Sequence, residues 1–197
     1  MPELQLAAPT APLPLLHLCL NRAAREFCRQ TRAWQEWLEP VAVSGDALAQ
    51  YDFELPQGAQ LLRIERAALD ARPVRLLVDN MLPADPSLVA RSGAASLVAQ
   101  RLESFTLAGG PGRLQVFVSL LPTTRASTIP DHLATLYHEA LREGAKAHLL
   151  NTPGTDYFNS DQAGLSLAFF NAALQDASVD VWRGHTGRLP RARVQWA

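Results

Sequence analysis

TIPDHLATLYHEALREGAKAHLLNT, Thr128 to Thr152, is the stretch around which the chain must arrange itself. It opens with Thr128 and Asp131 as capping oxygens and with Pro130 near the first helical position. Apolar or small residues follow at 133, 136, 137, 140, 141, 144, 145 and 149, the i, i+3, i+4 spacing of a helix packed along one face. The pattern stops at Asn151-Thr152-Pro153-Gly154, because Pro153 cannot continue the hydrogen-bond ladder and Gly154 tolerates positive φ. The spacing therefore predicts a helix near 130–150. The chain before it folds back onto that helix, and the chain after it packs alongside.

Two further helices flank this one. From Leu13 to Leu38 the periodicity predicts a single helix, with Leu16, Leu20, Ala24, Phe27, Cys28, Thr31, Trp34 and Leu38 on one face. Arg22, Arg25, Arg29 and Arg32 fall together on a neighbouring face, and Glu26 is the one acid among them. Such a stripe is ordinarily a solvated helix face. Four cations without interleaved acids repel one another, however, and an acidic partner surface would relieve that. The last helix begins at Asn159-Ser-Asp-Gln162, a capping box, and places Ala163, Leu167, Phe170, Leu174, Ala177 and Val181 on one face up to Gly184. Phe27, Trp34, Leu136, Leu167 and Phe170 are the expected core.

Between the first two helices the texture is that of strands. Tyr51 to Leu55 alternates, Pro56-Gln-Gly58 is a turn, and Leu61–Leu69 with Val74–Val78 reads as a hairpin around Asp70–Pro73. A helix over 59–71 competes, since its alanines, leucines and arginines are good helix formers. Residues 79–96 read as a loop with a short helix after Asp85. Leu97–Leu107 and Arg113–Leu121 complete the strands, the latter rich in β-branched residues. The fold class is thus α+β, an antiparallel helical bundle with an inserted antiparallel β lobe. Its parts are an N-terminal arm and helix (1–40), a β-rich insertion (41–127), two bundle helices (128–183) and an extended C-terminal tail (184–197).

Composition narrows the function. With 197 residues and 48% apolar content the chain can build a sizeable core. Apolar runs stay short of the roughly 18–20 residues a membrane span needs. The proline-bearing start lacks a basic segment, so it reads as an extended arm and not as a signal peptide. A net charge of −1 makes no general electrostatic bid for nucleic acid. Of the 18 basic residues Lys146 is the one lysine. Arginine-rich coding bias accounts for that, and so does a preference for bidentate pairing at interfaces. Cys19 and Cys28 are out of phase on a helix and read as buried apolar residues, not as a disulfide.

Catalytic motifs are hard to sustain. His138-Glu139 opens a zinc-protease HExxH, but the second ligand position holds Arg142, which would repel a metal. Gly109-Gly-Pro-Gly112 lacks the downstream helix of a phosphate cradle, and neither a P-loop nor a GxSxG occurs. We expect no enzyme, no cofactor, and no catalytic or metal-binding residue. The tail carries Arg188, Arg191, Arg193 and Trp196 without an acid after Asp180. It reads either as a frayed terminus or as an anchor that seats Trp196 in a partner's pocket.

Three segments carry a family resemblance: LNRAAREFCRQTRAWQEWLEP, YDFELPQGAQLLRIERAALDARPV and IPDHLATLYHEALREGAKAHLLNTPGTDYFNSDQAGLSLAFF. In that order, over most of residues 15–180, they resemble the head–tail connector (adaptor) proteins of tailed bacteriophages and related gene transfer agents. The likeness lies in a Leu-Pro-amide-Gly turn, an Asp-x-Arg-Pro hairpin, a His-Glu-Ala helix and paired aromatics. Residues 79–112 depart from the pattern. The resemblance implies a structural virion protein assembled in the host cytoplasm. It would form a dodecameric ring of neighbouring copies under the portal protein and extend the channel through which DNA passes without sequence recognition. It would also present a platform for the stopper or tail-completion protein, with no membrane involved. Partner-binding residues would be Arg22, Arg25, Arg29, Arg32, Arg188, Arg191, Arg193 and Trp196. Alternatives are another neck component, a nucleic-acid-binding module using the arginine stripe on phosphates, and a degenerate metalloprotease.

Overall fold

The computed structural model describes residues 2–44, 50–77, 96–99, 104–108 and 111–184. The protein is α+β, helices together with a largely antiparallel sheet. It divides into two compact units, one of residues 1–33 and 124–197, the other of residues 34–123.

The helical unit holds α1 (Pro2–Ala7), α2 (Leu13–Thr31), α3 (Asp131–Leu136), α4 (His138–Leu150) and α5 (Ser160–Trp182). The N-terminal arm is not extended as expected. Pro2 sits where a helix tolerates proline, and Leu4, Ala8 and Ala11 are buried with Leu16, Cys19, Ala23, Ala145 and Leu149. Glu3 fixes α1 outwardly, receiving Arg142 Nη1 at 3.4 Å and His138 Nε2 at 3.7 Å. Burial of this apolar set stabilises α1, which is too short to persist alone.

Helix α2 stops earlier than its periodicity predicts, at Thr31 and not at Leu38. Arg32 adopts the left-handed conformation (φ 55°, ψ 35°) and donates its N–H to Cys28 O. Thr31 Oγ1 donates to Phe27 O at 2.7 Å and accepts from Ala33 N at 3.2 Å, closing the last turn. Residues 34–38 then enter the sheet. Trp34 and Leu38 are buried in both arrangements because a separation of four suits a helix face and a strand face alike.

The predicted 130–150 helix is broken at Tyr137 (φ −120°, ψ 23°), which separates α3 from α4. No side chain caps α3, so the expected roles of Thr128 and Asp131 are not realised. The break lets the Tyr137 ring lie 4.7 Å from Phe27 between centroids. It also turns Leu136 outward, to 65% exposure, against expectation. Leu167 is likewise 45% exposed. Leu136→Ala is therefore expected to change stability by no more than about 0.5 kcal/mol, read by urea denaturation. Helix α5 is capped as read: Asn159 Oδ1 accepts from Gln162 N at 3.0 Å.

The second unit contains β1 (Gln35–Trp37), β2 (Val41–Val43), β3 (Gln50–Asp52), β4 (Ala59–Leu69), β5 (Arg72–Leu77), β6 (Ser96–Ala99), β7 (Ser104–Ala108) and β8 (Gly112–Pro122). Strand order is β1-β8-β4-β5-β6-β7-β3, with β2 also on β8. Leu114, Val116, Val118 and Leu120 of β8 are fully buried, which makes it the spine of this unit. The β4–β5 hairpin closes through Asp70 (φ 47°) and Ala71 (φ 64°), both left-handed, as a two-residue hairpin turn requires. Asp70 Oδ1 accepts from Arg113 N at 2.9 Å, and a Cβ on Gly112 would collide with that carboxylate. Pairing is antiparallel except between β5 and β6, which run parallel. A parallel pair needs a crossover of on the order of a dozen residues, and residues 78–95 supply that length. The expected 97–107 strand is two strands, β6 and β7, paired with each other. The expected loop and short helix of 79–96 fall mostly outside the described residues.

Candidate functional site

Two surfaces of the helical unit stand out. The first is the outward face of α2. Its core-facing residues Leu16, Cys19, Ala23, Phe27 and Thr31 are buried. Leu18, Arg22, Arg25 and Arg29 follow the spacing i, i+4, i+7, i+11 and so form one stripe, roughly opposite that core at 100° per residue. Leu18, Arg22 and Arg29 are exposed and Arg25 is half-buried. Burial, followed by repulsion from Arg29, lowers the pKa of the Arg25 guanidinium. Among the described residues, Arg22 and Arg29 face no acid within ion-pair distance. Arg32 is exposed but sits at the left-handed cap, just past the helix, so the stripe has three helical members and not four.

The second surface was not anticipated. Helix α5 buries Ala163, Ser166, Phe170, Leu174 and Ala177 yet remains apolar elsewhere. Leu165 is 64% exposed, Phe169 68% and Trp182 73%. A helix face carrying large apolar side chains is normally covered. Between α4 and α5 runs a groove of about 440 Å³, with Leu165, Phe169 and Ala173 along one wall and Glu139, Arg142 and Lys146 along the other. Asn159 N, at the start of α5, donates to Leu150 O at the end of α4 at 3.0 Å, and Asp180 near the end of α5 acts on Tyr137 just before α4, so the two helices run in opposite directions.

The polar groups at one end of the groove satisfy one another. Glu143 accepts from Ser166 Oγ at 2.7 Å and Arg142 Nε at 3.2 Å, and Lys146 Nζ lies 3.5 Å away. Burial pushes the Glu143 carboxyl up, but the Ser166 hydroxyl and the two cations outweigh it and hold the carboxyl below the usual glutamate range. A depressed native pKa contributes stability above the unfolded value, about 4.3, and loses it as pH falls through the native value. Glu143→Gln should therefore flatten the acid limb of a stability–pH curve measured by denaturant titration. Toward the other end Glu139 lines the groove, and Asp176 and Asp180 follow beyond it along α5; all three are exposed, and among the described residues none of them pairs with a cation. Asp180 acts instead on Tyr137, whose pKa is raised by burial first and by this carboxylate second.

His138 and Arg142 both turn to Glu3. Among the described residues, no three His, Cys, Asp or Glu side chains group so as to hold a metal ion. Cys19 and Cys28 are both buried, and burial raises the Cys19 thiol above its ordinary value despite nearby Arg22. Among the described residues no helix is long and apolar enough to cross a membrane. Arg188, Arg191, Arg193 and Trp196 lie outside the described residues. The missed surface did leave one trace in the sequence: residues 160–182 contain no lysine or arginine and are apolar on more than one face.

The sequence matches no family model and none of the curated proteins compared with it. What the fold and these surfaces define is a class: an α+β protein whose helical unit exposes a cationic helix stripe and an apolar, acid-ended groove.

Proposed function

We propose that this chain is a structural neck protein of a tailed bacteriophage or gene transfer agent, a head-to-tail adaptor. It would assemble as a ring beneath the portal protein, continue the DNA channel and offer a platform to the stopper or tail-completion protein. The observation that carries the reading is the pair of uncovered helix faces, a cationic stripe on α2 and an apolar face on α5, which suit a subunit whose neighbours complete it. The ordered resemblance of residues 15–180 to adaptor proteins gives that assembly its setting. Its first segment spans the second half of α2 and strand β1, its second runs from β3 into the β4–β5 hairpin, and its third covers α3, α4 and the first half of α5.

The tail supplies the test. Leu189 precedes Pro190, a step that disfavours helix, and the sequence of this segment shows no helical periodicity that includes Val194 and Trp196. In this reading Trp196 fills a pocket on the portal or a neighbouring subunit, with Arg188, Arg191 and Arg193 toward an acidic rim. Trp196→Ala should then cost on the order of 2 kcal/mol per site. The measurement is co-sedimentation with tailless, portal-bearing heads, comparing the full chain with one ending at Arg183. Ring-like occupancy by the full chain that falls on truncation is the expected result. Absence of binding by the full chain refutes the adaptor role, whereas undiminished binding after truncation removes only the tail as anchor.

A further inference from the structure

We infer that the α2 stripe of one copy of this chain seats along the α4–α5 groove of a second copy, the arginines of the stripe meeting the acids at the groove's end. The inference rests on the ring-forming reading above and specifies which surfaces join.

The two surfaces match in chemistry, spacing and length. On α2 the stripe is apolar at Leu18 and cationic at Arg22, Arg25 and Arg29. On α5 the order along the helix is the same with the charge inverted: Leu165 and Phe169 are apolar, and Asp176 and Asp180 are acidic. Phe169, Ala173, Asp176 and Asp180 repeat the i, i+4, i+7, i+11 spacing of the α2 stripe, so each set spans roughly 16 Å at 1.5 Å per residue. When the two helices lie parallel with Leu18 on Phe169, Arg22 falls at Ala173, where Glu139 forms the opposite wall. In the same register Arg25 comes to Asp176 and Arg29 to Asp180. Shifting the stripe one turn toward the start of α5 would put Arg22 on Phe169, and one turn the other way would carry Arg29 past Asp180 to Gly184, so charge fixes the register as well as the partner.

Covering these faces answers a cost each carries alone. The α2 stripe keeps Arg25 and Arg29 in mutual repulsion, and α5 leaves Leu165 and Phe169 in water. A contact between two different surfaces of the same chain is head-to-tail, and when its rotation closes it generates a ring.

Sedimentation velocity at rising concentration and low salt tests the contact, using the full chain and charge-reversed versions. The variants are Arg22→Glu with Arg29→Glu on α2, and Glu139→Arg with Asp180→Arg on the groove. All four residues are exposed, and an unchanged far-UV circular dichroism spectrum verifies the fold of each variant. Wild-type protein should self-associate. Each variant alone should lose at least about tenfold in association constant, because like charges then face each other. An equimolar mixture of the two should regain it, since every stripe again meets a groove of opposite sign. Phe169→Ser, which removes an exposed ring without disturbing the core, should weaken association as well. The inference is overturned if the wild type stays monomeric throughout, if either reversal associates as the wild type does, or if the mixture stays monomeric. It is overturned too if association vanishes in a chain ending at Gly184 while the reversals are harmless, because the C-terminal tail is then the occupant. Association that stops at two copies leaves this contact standing and removes the ring. Normal docking of the reversed variants on portal-bearing heads leaves the adaptor reading standing and removes this contact.

Discussion

Phe170→Ala is expected to destabilise the protein by about 3–5 kcal/mol, among the largest effects of a single truncation in the helical unit. Phe170 is 1% exposed and is the bulkiest fully buried residue of α5. Its ring lies 6.3 Å from that of Phe27 on α2, and Phe27 is in turn 4.7 Å from Tyr137 at the α3–α4 break. Gly144 of α4 approaches the same ring so closely that it leaves no room for a side chain. Truncation therefore empties the point where three helices meet. These helices are held by side chains from several directions, so the cavity cannot close without moving a backbone. Urea unfolding followed by circular dichroism gives the value. A loss under about 1 kcal/mol would mean that the helices collapse into the space and that this ring does not organise the core.

Gly144→Val is the second large effect, and it acts in the opposite sense, by overfilling. A Cβ at Gly144 would stand 2.8 Å from two carbons of the Phe170 ring and 3.0 Å from Ala23 Cβ. The neighbours are a packed aromatic ring and a methyl group fixed to α2, and neither can yield without shifting a helix. Overpacking of this kind costs about 1–3 kcal/mol, and valine adds two methyl groups to the clash. The two predictions are coupled. Adding Phe170→Leu to Gly144→Val frees part of the space, so the double variant should be more stable than the sum of the single losses implies. Strict additivity in a double-mutant cycle would show that Gly144 is confined by something other than that ring.

Several features were legible because they depend on neighbours in sequence. Asn159 caps α5 through the nitrogen three residues on, as the capping box requires. The hairpin itself was legible, but its turn is tighter than the Asp70–Pro73 reading: Asp70 and Ala71 alone form it, both at positive φ, and Arg72 and Pro73 already pair in β5. The arginine stripe of α2 follows from helical spacing alone, although the loss of Arg32 from it did not.

What the amino-acid order determined by itself, then, is the α+β class, the position of α5, the β4–β5 hairpin, the buried strand β8 and a cationic face on α2. Tertiary structure decided the rest. The end of α2 at Thr31 depends on β8 offering a partner to residues 35–37, since Trp34 and Leu38 satisfy helix and strand periodicity equally. The break at Tyr137 depends on Phe27 receiving its ring, and it sends Leu136 outward. Residues 2–11 are short of helical length, so their burial depends on packing against Leu16, Cys19 and Ala23 of α2 and against Ala145 and Leu149 from much later in the chain. On α5, periodicity admitted Leu167 to the core face, but Gly144 on α4 drew Phe170 inward and left Leu165, Leu167 and Phe169 outside. The reason is common to all four. A sequence records which residues are apolar and how they repeat, whereas burial is a property of whichever surface comes to lie against them.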